Sequence, residues 1–104
     1  MTQPSDAVRL DLNAPEFQQQ LFRLSKDGQL QVLKTLLKLS QMTWNDVYRD
    51  GGLKWEAVLS RTGPDGGRLY SFRISQSFRA IAYRQGTWMR VLSLHPEHDS
   101  ACRR

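Results

Sequence analysis

The sequence predicts an α+β fold in which an N-terminal short strand and helical hairpin pack on a C-terminal antiparallel β-sheet. Three observations carry this reading. Apolar residues recur every three to four positions from Phe17 to Leu39, the period of a helix, and from Leu53 onward they alternate with polar residues, the period of a strand. The last strand candidates are joined by Ser75-Gln76-Ser77 and Gln85-Gly86, connections that favour antiparallel neighbours because a parallel crossover needs about a dozen residues or more. The 104 residues are expected to form a single domain, 1–104, with residues 1–7 a flexible polar lead.

Residues 8–12 set Val8, Leu10 and Leu12 against Arg9 and Asp11, as in a short strand. Asn13, Ala14, Pro15 and Glu16 read as a helix start, since Asn caps and Pro is tolerated in the first turn; Phe17, Leu21 and Leu24 follow at helical spacing. Gly28 is expected to break or bend that helix. Leu30, Leu33, Leu36/Leu37 and Leu39 then form the stripe of an amphipathic helix expected to pack on the sheet, with Lys34 and Lys38 outward. Thr43 and Asp46 match a capping pattern ahead of Val47 and Tyr48, so a short third helix is expected to end at Gly51-Gly52. Residues 53–60 alternate Leu53, Trp55, Ala57 and Leu59 with Lys54 and Glu56, and a turn rich in Gly, Pro and Asp follows at 62–67. Three more strands are expected at 68–74, 78–84 and 87–95, and the tail from Pro96 is polar and short.

A hydrophobic content of 39% with 24% charged residues is that of a soluble globular protein. No apolar stretch approaches the ~20 residues of a membrane span. With no signal-peptide pattern, a cytoplasmic location is the expectation. The lone Cys102 excludes an internal disulfide and a Cys-rich zinc site. Gly-x-Ser-x-Gly, a phosphate loop ending Gly-Lys-Ser/Thr and Gly-x-Gly-x-x-Gly are all missing. The charge is uneven. Residues 1–67 hold eight Lys/Arg and eight Asp/Glu, whereas 68–104 hold seven Arg against Glu97 and Asp99 and so carry the whole net charge of +5. Arg68, Arg73, Arg79, Arg84 and Arg90 lie among Tyr70, Phe72, Phe78, Tyr83 and Trp88, with no lysine or acid before His95. This pattern suits nucleic acid, an acidic protein or another anionic surface.

If Tyr70, Phe72 and Ile74 face the core, Arg73 points away from the helices. Arg79 opens the next strand and shares a face with Ile81 and Tyr83, while Ala80 and Ala82 are small enough to lie beneath a helix. Two adjacent antiparallel strands then bring both guanidiniums within reach of one phosphate, which arginine binds bidentately without losing its charge. Lys54, Arg68, Arg84 and Arg90 read either as a basic RNA-binding track or as solvated strand edges, and Glu56 could supply a base. His95 and His98 have the unperturbed pKa, ~6.5, of a general acid or base, and also fit a plain polar turn. With Glu97 and Asp99 they make a thin ligand set, so no metal and no cofactor is expected. Trp44, Trp55 and Trp88 could stack on bases, but core packing is expected for at least two of them.

The arrangement resembles the RelE/ParE superfamily of bacterial toxin–antitoxin systems: a helical hairpin, then a meander with Tyr70-Ser71-Phe72-Arg73-Ile74, a strand opening with Arg79, and a strand end at Tyr83-Arg84. The tract 68–95 is most similar to the RelE/YoeB ribonuclease branch. The resemblance implies a metal-independent endoribonuclease that cuts mRNA on the ribosome, with a cognate antitoxin as partner and no membrane or small-molecule cofactor. The ribose 2′-hydroxyl would attack the adjacent phosphate. By position, Arg79 matches the arginine that holds the phosphate, Arg73 a second clamp, and His95 or His98 the acid or base. Cys102 falls where a catalytic tyrosine is frequent, and 43–67 is longer than the family's usual link. The alternative is therefore a non-catalytic or gyrase-directed ParE-like binding protein neutralised by an antitoxin.

Overall fold

Eight main elements run along residues 6–96, the part of the chain described by the computed structural model. They are β1 (Arg9–Asp11), α1 (Pro15–Arg23), α2 (Lys26–Ser40), α3 (Trp44–Arg49), β2 (Glu56–Thr62), β3 (Arg68–Ser75), β4 (Phe78–Gln85) and β5 (Trp88–Pro96). One sheet contains all five strands in the order β1-β5-β4-β3-β2. The expected antiparallel meander forms from β2 to β5, while β1 joins the far edge parallel to β5. Gly86, with φ +63°, begins the two-residue loop between β4 and β5, where a tight hairpin needs a left-handed residue.

Ser25, not Gly28, separates the first two helices. Its Oγ accepts a hydrogen bond from Gly28 N at 3.2 Å, so Ser25 caps α2 and Gly28 lies in the first turn of the new helix. The expected capping box of α3 is present: Asp46 N donates to Thr43 Oγ1 at 3.2 Å, and Thr43 N donates to Asp46 Oδ2 at 2.9 Å. These bonds hold the Asp46 carboxyl below the ordinary carboxylate range. The helix stops at Asp50, before the glycine pair.

Two expectations from periodicity are corrected. On α2 the sheet-facing residues are Val32, Thr35, Leu36 and Leu39, whereas Leu30, Leu33 and Leu37 are more than half exposed. The helix carries two apolar stripes, and only one meets the sheet. The strand expected from Leu53 starts at Glu56, because Leu53 N donates to Asp50 Oδ1 at 2.9 Å in a turn and Lys54 adopts φ +53°.

The core lies between the helices and one face of the sheet, with Phe17, Val32, Leu39, Trp44, Phe72, Ala80, Ala82 and Met89 essentially inaccessible. Trp44 ties the helices to the β4–β5 hairpin by donating from Nε1 to Thr87 O at 3.0 Å. Because β1 pairs only with Trp88, Met89 and Arg90, the rest of the β5 edge needs another partner. Gln20 of α1 supplies one, its Oε1 accepting from Leu94 N at 2.6 Å. Among the described residues no helix is long and apolar enough to cross a membrane.

Ala80 and Ala82 have no exposed surface and lie in the core on the helix-covered face of β4. Ala80→Leu is expected to destabilise the fold by roughly 1–3 kcal/mol through overpacking. Urea unfolding would report this as a lower midpoint at nearly constant slope.

Candidate functional site

Successive side chains of a strand point to opposite sides of the sheet, so each buried cross-strand row fixes the row beside it. Phe72 pairs with Ala80 and Ala80 with Leu94, all three buried beneath the helices. One position along, Arg73 pairs with Arg79 and Arg79 with His95. These three residues therefore form one row on the face of the sheet away from the helices. The row depends on a bulge in β5: Ile81 pairs with Ser93 but Ala82 with Val91, leaving Leu92 as an extra residue. Unbroken alternation from Met89 and Val91 would have turned His95 toward the core.

Arg79 is held by its Nη2, which donates to Ser71 Oγ at 2.8 Å and to Lys54 O at 3.4 Å and lies 3.5 Å from Glu56 Oε1. Nε and Nη1 take part in none of these contacts. Glu56 pairs with Ser71 across β2 and β3, so its carboxylate belongs to the same open face. Arg73 Nε is enclosed and makes no hydrogen bond among the described residues. Like charges directly opposite each other destabilise a strand pair. A dianionic or monoanionic group between Arg73 and Arg79 would relieve that repulsion and accept from both forks.

His95 Nε2 is 2.8 Å from Ser93 Oγ, and Ser93 is 4% exposed, so one side of the imidazole rests on a buried hydroxyl. Desolvation by the surrounding protein pushes the His95 pKa below its ordinary value of 6.5, the Arg61 guanidinium adds to the depression, and Glu16 opposes it. The neutral ring therefore predominates at pH 7. Because the folded state binds the proton less readily than the unfolded chain, the resulting stability is present above pH 6.5 and is lost as pH falls through the lowered value.

No family model matches the chain, and no curated protein matches it in sequence. Its structure is similar to one in the archaeal RelE–RelB complex from Pyrococcus horikoshii, with a TM-score of 0.62 and 18% identity over 88% of this chain and 97% of that one. A copper-bound mutant toxin from Helicobacter pylori aligns over the same shares at 14% identity and a TM-score of 0.49. The chain has a RelE-like fold. The α+β architecture expected from the sequence is thus the one observed.

On this RelE-like scaffold the sequence-derived candidates separate. Arg73, Arg79 and His95 meet in one row, and Lys54, exposed, adjoins Arg79 through its carbonyl. Arg68 is exposed at the far end of β3. Arg84 lies on the helix side, its guanidinium 4.5 Å over the Trp44 ring and bonded to Tyr48 Oη at 2.6 Å. Arg90 faces the open side but is bound by Asp11 and by Gln85 Oε1. His98 and Cys102 lie outside the described residues. Trp55 packs with Trp44, Tyr70 and Phe72, while Trp88 is 37% exposed beneath Arg9. Ser71, Ser93 and Arg61 complete the site; the sequence marks Ser71 only as part of the Tyr70-to-Ile74 motif and does not mark Ser93 or Arg61. Cross-strand register, once known, identifies the two serines; nothing local marks Arg61. A hollow of about 530 Å³ at the β1 edge, bordered by Leu10, Trp88 and Arg90, is separate from the row. Among the described residues no cluster of His, Cys, Asp and Glu could hold a metal ion.

An NMR titration of the assigned His95 ring is expected to give a midpoint below that of a free histidine. The midpoint should rise in Arg61→Ala, and an unchanged value in that variant would remove Arg61 from the site.

Proposed function

We propose that this chain is the toxin of a toxin–antitoxin pair and acts as a metal-independent endoribonuclease on mRNA presented by the ribosome. The Arg73-Arg79-His95 row carries the reading, because it sets two guanidiniums and a neutral imidazole side by side on an accessible face. The similarity to a RelE found in complex with RelB supports an antitoxin as the partner.

In the proposed reaction the phosphate sits between Arg73 and Arg79. His95 takes the proton of the neighbouring ribose 2′-hydroxyl as the oxygen attacks phosphorus. The P–O5′ bond breaks, the leaving oxygen collects a proton from solvent, and the products are a 2′,3′-cyclic phosphate and a 5′-hydroxyl end. Both arginines bind most strongly as charge gathers on the phosphoryl oxygens, which is where preorganised donors lower a barrier. Ser71 and Glu56 hold Arg79 in place, and Ser93 holds His95. Glu56, on the same face, is a second acceptor for the proton.

Three side chains in a row span little more than one phosphate, so alignment of the 2′-hydroxyl with the leaving oxygen must come from elsewhere. A ribosome that holds the message in a fixed conformation supplies that alignment. Lys54 and Arg68 are proposed to steer the RNA backbone toward the row, a salt-sensitive contribution. Arg84 and Arg90 are already engaged within the protein. Such an activity requires a cytoplasmic location.

Cleavage of translated message by purified protein should fall about 10²–10³-fold in Arg79→Ala, the loss typical of removing one transition-state donor. His95→Gln should cost about 10²–10⁴-fold, as for loss of a general base. Primer extension on ribosome-bound message measures both. Intact message with the wild-type chain, or wild-type cutting by Arg79→Ala, would refute the nuclease reading and leave the binding-protein alternative.

A further inference from the structure

The outer face of the helix layer carries an apolar strip that the fold does not use. Leu30, Leu33 and Leu37 follow one another at three- and four-residue spacing along α2, and they remain 57%, 54% and 59% exposed. Phe22 at the end of α1, 73% exposed, shares a depression with Leu33 that Leu21 and Gln29 border. Three leucines in one line, with Phe22 beside Leu33, are a concentrated patch of the kind that marks an interaction site. Their spacing is the pattern with which one helix packs along another.

The ionic surroundings select the occupant. Lys26 stands in line with the three leucines at helical spacing, Lys34 is exposed beside them, and Arg23 is exposed next to Phe22. Lys38 is the cation already answered, by Asp50 at 2.9 Å. Asp27 is the acid of this helix and precedes the strip. A second copy of the chain would bring the same lysines against these, and like charges at a rim disfavour the pairing.

We propose that Phe22, Leu30, Leu33 and Leu37 are the docking site for an acidic amphipathic helix of another protein, its apolar side chains between theirs and its carboxylates against Arg23, Lys26 and Lys34. The identity of that protein with an antitoxin rests on the proposed function; the surface and its chemistry do not. The site lies on the opposite side of the molecule from the Arg73-Arg79-His95 row, so its test needs no RNA.

The probe is a labelled, helix-stapled peptide with leucines at the a and d positions and glutamates flanking them, compared with the same peptide carrying lysines, by fluorescence anisotropy on the full chain. The glutamate peptide should bind and the lysine peptide should not. Leu33→Ser/Leu37→Ser should weaken binding at least about tenfold, as loss of central apolar anchors does. Lys26→Glu/Lys34→Glu should reverse the preference between the peptides. Both pairs are exposed, and circular dichroism checks that the variants fold. Undiminished binding by the serine variant, equal binding of the two peptides, or no binding would overturn the proposal. A dimer of the wild type in sedimentation that the serine variant abolishes would overturn it in favour of a second copy.

Discussion

The two-residue period of side chains on paired strands is the constraint on which the rest of the molecule depends. Phe72, Ala80 and Leu94 meet beneath the helices with almost no exposed surface, and a one-residue slip of any of their strands would turn its member outward. Their neighbours Arg73, Arg79 and His95 are consequently forced together on the other face. Slipping one strand by a residue would drive a guanidinium into the core, at a penalty of several kcal/mol for an unpaired ion. The hydrophobic row and the polar row are thus specified by the same free energy. Burial of Ala80 in the core aligns the charged groups behind it.

How much of this is legible in the sequence depends on the range of the interaction that decides each feature. Arg73 and Arg79 could be assigned to the open face because the alternation through Phe72 and Ala80 is local and unbroken. The same alternation assigns Arg84 to the core side with Ala82, where it lies over Trp44. His95 was beyond such reading: counting from Met89 and Val91 turns it inward, and only the pairing with β4 reveals Leu92 as the extra residue. The helix period identified α2, yet its apolar positions outnumber those one face can bury. Val32 and Thr35, which broke the leucine pattern, mark the face that is covered. At Lys54 a side-chain hydrogen bond from the preceding turn overrode a strand-like pattern.

The five arginines of the C-terminal tract do not act as one field. Arg84 is stacked on the helix side, and Arg90 is answered by Asp11 and Gln85. What the fold leaves incompletely compensated is the pair at the β3–β4 end, where Glu56 touches Arg79 at 3.5 Å and is itself 62% exposed. An exposed ion pair of this kind contributes ~0–1 kcal/mol, too little to saturate two guanidiniums. Net charge thus describes the tract as a whole, while the register concentrates the uncompensated charge on two residues. The depressed basicity of His95 follows from the same crowding, since desolvation and the Arg61 cation both disfavour a further positive charge there.

The two candidate surfaces belong to different layers, the strip on the outside of the helices and the row on the outside of the sheet. A helix docked on Leu30, Leu33 and Leu37 touches none of the residues that would hold a phosphate. Inhibition by such an occupant requires that its chain continue around the molecule to the sheet, or that α2 move against β3. The second route has a physical link, because Thr35 on the buried face of α2 donates to the carbonyl of Ile74 at 3.4 Å, beside Arg73. That contact is long, whereas Phe72 and Ala80 are fully buried in the core between helices and sheet, and close-packed cores resist small displacements. Anchoring on the helix face with an extension that covers the row is therefore the route that asks least of the fold.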